Sequence, residues 1–159
     1  MGIFVTVGAQ MPFDRMIRAV DSWGKERGRD DVFAQIGSTN YRPAHIGWTE
    51  FLEPEQFRIH VAEADVLVAH AGMGSILMAL EAGKPILVMP RRGALHETRN
   101  DHQVATAERF REMGKVHVAM DEHELPRRLD ELSAVPPAER ISRTASEPLI
   151  KAIRDFVNT

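Results

Sequence analysis

Short apolar runs alternate with stretches of helical periodicity along most of this chain, and that alternation restricts its fold more than any other feature. Residues 3–7, 32–36, 65–70, 84–90 and 116–120 are brief, mostly continuous apolar segments, and 45–52, which alternates loosely, is a candidate for a sixth strand. Runs that are apolar on both faces suit a parallel sheet covered by helices on each side. Between them, Phe13, Met16, Ile17, Val20 and Trp23 recur at helical spacing up to Gly28, a residue suited to ending a helix. Further helices are expected over 53–62, over 76–82 with Gly83 as the terminator, over 104–113 and over 121–132. A final helix follows Pro136 and Pro137. Strand–helix alternation of this kind predicts a single doubly wound, mostly parallel α/β sheet of the Rossmann-like class.

Composition narrows the function. The 159 residues suffice for one domain, 1–159, with 136–159 as a helical tail. The net charge of −3 disfavours a nucleic-acid partner, because a duplex-binding surface that neutralises phosphates is basic. Cysteine is absent, which removes disulfides, thiolate metal sites and thiol nucleophiles, and fits a reducing, cytoplasmic setting. No apolar run reaches the ~18 residues needed to span a bilayer. The N-terminal segment lacks the basic region of a signal peptide. Met1, Gly2 and Thr6 formally match a myristoylation pattern, but the segment reads as a buried strand.

Right-handed crossovers place every strand-to-helix loop on the carboxyl edge of such a sheet, where ligands bind at the topological switch point. The informative loops are therefore 8–12, 37–41, 70–75 and 91–103. The turn formed by Gly72, Met73, Gly74 and Ser75 lies between a strand ending at His70 and a helix. Glycines there admit close approach of a ligand, and the helix start offers free N–H groups and a positive dipole end to a phosphate. A turn that uses glycine only for its backbone freedom is the other reading. The loop 91–103 mixes Arg, Asn, Asp, His and Gln. It is either a solvated charge run, or a set of donors and acceptors for a polyhydroxyl ligand, with its arginines available to phosphates.

Several motifs are excluded by position. The third glycine of a dinucleotide fingerprint would fall at Leu77, and the ribose carboxylate about 20 residues on would fall near Arg91 and Arg92. Gly83 and Lys84 are followed by Pro85, so there is no P-loop, and the second histidine of a zincin motif begun by His96 and Glu97 would fall at Asn100. No metal site and no bound cofactor are expected.

Three segments in order, His70-Ala71-Gly72-Met73-Gly74-Ser75, then Gly83-Lys84-Pro85, then Asn100-Asp101-His102-Gln103, resemble the donor-binding, C-terminal half of GT-B glycosyltransferases of family 28. That family includes the bacterial lipid II-forming GlcNAc transferase and the small soluble subunit of the split dolichol-linked GlcNAc transferase. The start, with Phe4-Val5-Thr6-Val7-Gly8-Ala9-Gln10 and Pro12-Phe13-Asp14, is similar to the small subunits of bacterial exopolysaccharide glycosyltransferases. The resemblance covers residues 3 to 120 and implies a nucleotide-diphosphate sugar donor, UDP-linked, transferred with inversion and without a metal. By position it places His70, Gly74 and Ser75 against the diphosphate, with Gly72 and Met73 also among the donor-binding residues and Gly8, Ala9 and Gln10 as the other phosphate-side loop. It puts Phe51 and Leu52 beside the uracil, and Asn100, Asp101, His102 and Gln103 against the sugar hydroxyls. Relatives often carry a ribose-binding carboxylate at the position of Met78; here Glu81 is the substitute candidate, with a plain helix-end charge as its other reading. An Asn often found three residues after the loop's Gln is Thr106. Arg91 is a further candidate for the donor.

A full GT-B enzyme has two such domains, and this chain has the length of one. The resemblance therefore implies a membrane-associated partner subunit that binds a lipid-linked saccharide acceptor and holds this chain at the inner face of the membrane. His96 and Glu97 are the chain's own candidates for a general base. The apolar stripe of Leu149, Ile150, Ile153, Phe156 and Val157 either packs on the sheet or docks that partner. A non-catalytic, nucleotide-binding activator subunit of a partner transferase is the alternative reading.

Overall fold

Strand residues that are apolar on both sides must lie between two helical layers, and here they do. The computed structural model describes residues 2–8, 11–113 and 116–134. Six strands, β1 (Ile3–Thr6), β2 (Val32–Gln35), β3 (Gly47–Thr49), β4 (Val66–His70), β5 (Ile86–Met89) and β6 (His117–Val118), pair in the order β3-β2-β1-β4-β5-β6. Every pairing is parallel. Side chains alternate between the two faces. Ile3, Val5, Ala34, Val68 and Leu87 pack beneath α1 (Asp14–Arg27) and α5 (Leu125–Ala134), through Met16, Ile17, Val20, Trp23, Leu125 and Leu129. Phe4, Leu67, Ile86 and Val88 pack beneath α2 (Pro54–Glu63), α3 (Met73–Glu81) and α4 (His102–Met113). The expected doubly wound architecture is thus present. Among the described residues, no helix is long and apolar enough to cross a membrane.

The elements expected within the described residues are found there, with shifted ends, and the larger shifts have identifiable causes. Third-strand pairing is confined to Gly47–Thr49 rather than 45–52, because the backbone before it is claimed from the side. Asp21, on α1 and 5% exposed, accepts N–H bonds from Ala44, His45 and Ile46 at 3.1, 2.8 and 3.1 Å, and the Tyr41 hydroxyl at 3.2 Å. The fifth helix starts at Leu125 rather than 121, because the Asp121 carboxylate accepts the N–H groups of His123 and Glu124 as a cap. The third helix starts at Met73, earlier than expected: Gly72 is the extended N-cap, so Met73, Gly74 and Ser75 form the first turn of the helix rather than a free loop. The last helix expected, after Pro136, lies outside the described residues, as does its apolar stripe.

Strand order fixes where a ligand can sit. From β1 the chain steps outward through β2 to β3, then returns to the centre to begin β4 on the other side of β1. The loops leaving β1 and β4 therefore diverge, and a crevice opens between them at the carboxyl edge.

Asp21 serves as a buried anchor for this arrangement. Asp21→Ala leaves three backbone donors without their acceptor and is expected to lower unfolding stability by about 3 kcal/mol. Urea titration checks it, and Asp21→Asn, which keeps one acceptor oxygen, should lose less.

Candidate functional site

The crevice at the switch point is a cleft of about 430 Å3, within the range of small-molecule sites. Its polar floor is made by the ends of β1 and β2. The Thr6 hydroxyl donates to Gln35 Oε1 at 2.7 Å, Gln35 Nε2 donates to the Glu50 carbonyl at 3.1 Å, and the Gly8 N–H donates to Thr6 Oγ1 at 3.2 Å. One wall is apolar, built from Phe51, Leu52, Phe57 and Met78. Phe51 is 59% exposed, an open aromatic face at the mouth of a cleft. The opposite wall is His70, Gly72, Gly74 and Ser75.

His70 is the last residue of β4, and its ring is held at both nitrogens. Gln103 Nε2 lies 3.1 Å from Nδ1, and Ser75 Oγ lies 3.2 Å from Nε2. The polarity of this chain follows from one fixed donor. The Arg91 backbone N–H donates to Gln103 Oε1 at 3.1 Å. The Gln103 NH2 group must then face His70, so Nδ1 accepts, the ring proton sits on Nε2, and Nε2–H donates to Ser75 Oγ. The Ser75 hydroxyl is left with its own proton to donate. It does so beside the start of α3, whose first turn has no side-chain cap and no acidic residue. The N-terminal N–H groups and the positive end of the helix dipole thus reinforce a hydroxyl donor, a combination suited to an anion.

Burial, and secondarily the nearby Arg91 guanidinium, depress the His70 pKa to about 4. The ring is neutral at pH 7, consistent with its one-donor, one-acceptor geometry. The slot it occupies exists only because two neighbours are glycine. A Cβ on Gly8 would lie 2.7 Å from Nε2, and a Cβ on Gly72 would lie 2.4 Å from Cε1.

The 91–103 loop folds largely onto itself. Asn100 Oδ1 accepts the His102 N–H at 2.8 Å, and Asp101 Oδ1 accepts the Gly93 N–H at 2.9 Å. The Gln103 amide is engaged at both ends, as described. Glu97 is held by Arg15 through bonds of 3.0 and 2.9 Å and by the Arg92 N–H at 3.0 Å. His96 stands exposed at φ 58°, just past a short 3-10 turn over Gly93–Leu95. Arg91 is 4% exposed and turns away from the cleft. Loop 37–41 closes on α1 through a 2.8 Å bond from the Thr39 hydroxyl to Asp14. Glu81 lines a separate hollow with Arg58 and Lys84, across Met78 from the cleft. Ala9 and Gln10 lie outside the described residues. Thr6 and Gln35 were not anticipated as cleft residues; their signal is a polar side chain at the carboxyl end of an otherwise apolar strand.

Comparison with known proteins gives this geometry a lineage. The family described as glycosyltransferase family 28 C-terminal domain matches residues 2–158. The chain belongs to that family. The human protein named UDP-N-acetylglucosamine transferase subunit ALG13 is 30% identical over 122 residues, covering 70% of this chain and 10% of the human protein. Among solved structures, the glycotransferase of kitacinnamycin superposes with a TM-score of 0.64 at 22% identity, covering 89% of this chain and 37% of that one. MurG of Acinetobacter baumannii superposes with a TM-score of 0.64 at 17% identity, covering 97% of this chain and 49% of that one. The chain therefore spans a tenth of the human relative's length and less than half of either structure, and the structural likenesses establish the fold.

For this family 28 domain, the glycine slot and the neutral ring lead to two expectations. Gly72→Ala should expel the His70 ring from its slot, visible as loss of its bond to Ser75 in ring-nitrogen NMR spectra, while Gly28→Ala, remote from the cleft, should leave that signal unchanged. Second, the unfolded chain protonates His70 near pH 6.5 and the folded chain does so near pH 4. The stability associated with the neutral ring is complete above pH 6.5 and is lost as pH falls from 6.5 toward 4, on the order of 3 kcal/mol. Unfolding titrations of wild type and His70→Gln across that interval should converge as pH drops.

Proposed function

We propose that this chain is the donor-binding subunit of an inverting glycosyltransferase that moves a sugar from a UDP-sugar to a lipid-linked acceptor. The observation that carries the reading is the directed hydrogen-bond chain ending in the Ser75 hydroxyl at the uncapped start of α3. A diphosphate there meets a hydroxyl donor, backbone N–H groups and a dipole end. The apolar wall of Phe51, Leu52 and Phe57 has the chemistry to flank a planar base. The name of the human relative, a UDP-N-acetylglucosamine transferase subunit, supports a UDP-linked donor and an assembly of more than one chain.

In the proposed reaction the bond between the anomeric carbon and the diphosphate oxygen breaks as an acceptor hydroxyl attacks from the opposite face. The charge that develops on the leaving diphosphate is met by donors already in place, which is the arrangement that lowers such barriers. The same donors take up the charge that a metal would otherwise neutralise, and the reading assigns no metal. The acceptor's proton goes to a general base, which we assign to a membrane-associated partner subunit that also binds the acceptor. Glu97 is tied to Arg15 and Arg92, so its carboxylate serves the packing of the loop. The partner holds the assembly at the membrane's inner face.

Calorimetry with UDP tests the donor site, with saturable binding expected; heat-silent titration, alone and with a partner present, would overturn it. A transfer assay with the two subunits separately and together should show activity only in the mixture; a partner fully active by itself would instead indicate an activator role for this chain. Gly74 separates ligand contact from folding. A Cβ there meets nothing within 4 Å, so Gly74→Ala should leave stability equal or higher, by up to about 1 kcal/mol, yet weaken UDP binding by crowding the phosphate wall. Ser75→Ala removes one bond to a charged group and should cost about 1.5–3 kcal/mol of UDP affinity.

A further inference from the structure

Arg91 follows β5 and is buried, and its guanidinium faces the back of the cleft rather than the cleft itself. It donates to the carbonyls of Val7, Met11 (2.7 Å), Pro12 (2.8 Å) and Glu97 (3.4 Å), and lies over the Phe13 ring at 4.9 Å. Three of those carbonyls belong to the loop between β1 and α1, which is one lip of the cleft. The fourth belongs to the loop between β5 and α4, which leads to Gln103 in the first turn of α4. The backbone N–H of the same residue donates to Gln103 Oε1, and so orients His70. A single residue therefore ties the β1–α1 lip of the cleft to the loop behind it by its side chain, and aims the imidazole by its main chain.

Its charge is as informative as its bonds. Among the described residues, every acceptor of the Arg91 guanidinium is a backbone carbonyl. The nearest carboxylate, Glu97, is committed to Arg15 and to the Arg92 N–H. A buried charge whose hydrogen bonds all end on carbonyl dipoles, with the Glu97 carboxylate acting on it only through space, is incompletely compensated. The histidine between it and the cleft is neutral and adds no charge of either sign. The Arg91 guanidinium is the charge that acts on the ring from behind the cleft, and the cleft opens beside that ring.

We propose that Arg91 is the positioning residue of the anion site: without touching the ligand, it ties the β1–α1 lip of the cleft to the loop behind it, aims His70, and supplies a fixed positive charge behind a bound diphosphate. This rests on the donor-site reading above for the identity of the anion, and on geometry alone for the positioning. It also separates Arg91 from the arginines of surface clamps, which bind phosphate oxygens through their own N–H groups. Lysine is a poor replacement, because one ammonium cannot reach carbonyls from two loops in the fork geometry of a guanidinium.

The test uses Arg91→Met and Arg91→Lys in the full chain, with two readouts: UDP affinity by calorimetry, and the titration of the His70 ring by NMR without ligand. Arg91→Met should bind UDP at least tenfold more weakly, and its His70 should titrate measurably above the wild-type value of about 4 yet still below 6.5, because burial, the larger cause, remains. Arg91→Lys should keep a low His70 titration, because the charge remains, while UDP binding falls to an intermediate value, because the β1–α1 lip is no longer tied. A folded Arg91→Met that binds UDP and titrates His70 as wild type does would overturn the proposal. If Arg91→Met does not fold, the wild-type guanidinium decides: its N–H resonances should be individually resolved, with rotation arrested by the carbonyl bonds, and should shift on addition of UDP. A freely rotating, unresponsive guanidinium would contradict the assignment. Should wild type itself fail to bind UDP, the donor reading falls, and the His70 titration of the ligand-free variant still decides the positioning role.

Discussion

At the centre of the sheet, one imidazole lies in a slot a single ring wide. His70 fits because Gly8 and Gly72 present only hydrogen to it, and it is fixed because both ring nitrogens are bonded. The rest of the site depends on this contact. A side chain on either glycine would force the ring out, and with it would go the polarity of the chain from the Arg91 N–H through Gln103 to Ser75. The strand order is what makes the contact available: β1 and β4 are neighbours in the sheet but far apart in sequence, and their loops turn away from each other at the carboxyl edge. Gly8 comes from one loop and Gly72 from the other, so the slot forms only when the switch point does.

Neutrality of the ring is the second consequence of the packing. A protonated imidazole would have two donors and no acceptor, and the Gln103 NH2 group would then face a donor. Burial, the Arg91 charge and the direction of the Gln103 amide agree on the uncharged form. The positive character of the site thus resides in elements that cannot titrate near neutral pH: the start of α3 and a buried guanidinium. On the proposed donor-site reading, the protein's contribution to holding an anion would not vary across the physiological range, and the hydroxyl donor has a fixed direction before any ligand arrives. This is preorganisation built from backbone and second-layer contacts rather than from a charged side chain in the cleft.

The strands were legible because burial on both faces leaves a plain mark, and each short apolar run became one. Their order followed from no such mark; it depends on which runs pair, a long-range property. The ends of elements were less legible, because they are decided by side chains distant in sequence, as with Asp21 holding the backbone before β3. At the site, the segment from His70 to Ser75 was readable from glycines placed between a strand and a helix. The role of Arg91 was not. In sequence it stands beside Arg92 in a charged stretch and resembles a surface group; only the fold reveals that its guanidinium closes on carbonyls some 80 residues away. Gln103 was legible as a polar residue at the ligand edge, whereas its use of both amide ends on Arg91 and His70 required three-dimensional placement. Thr6 and Gln35 were hidden by their position inside runs that read as core.

The site depends on the direction of the hydrogen bonds through His70, and the tautomer of that ring tests it most directly. Long-range nitrogen–proton correlation spectra of the ligand-free protein at pH 7 distinguish the three forms of a histidine ring. A neutral ring protonated at Nε2, with an unprotonated Nδ1, is the predicted result. A ring protonated at Nδ1, or a doubly protonated imidazolium, would contradict it, because the Gln103 amide would then be reversed or repelled and the Ser75 hydroxyl would no longer be directed into the cleft.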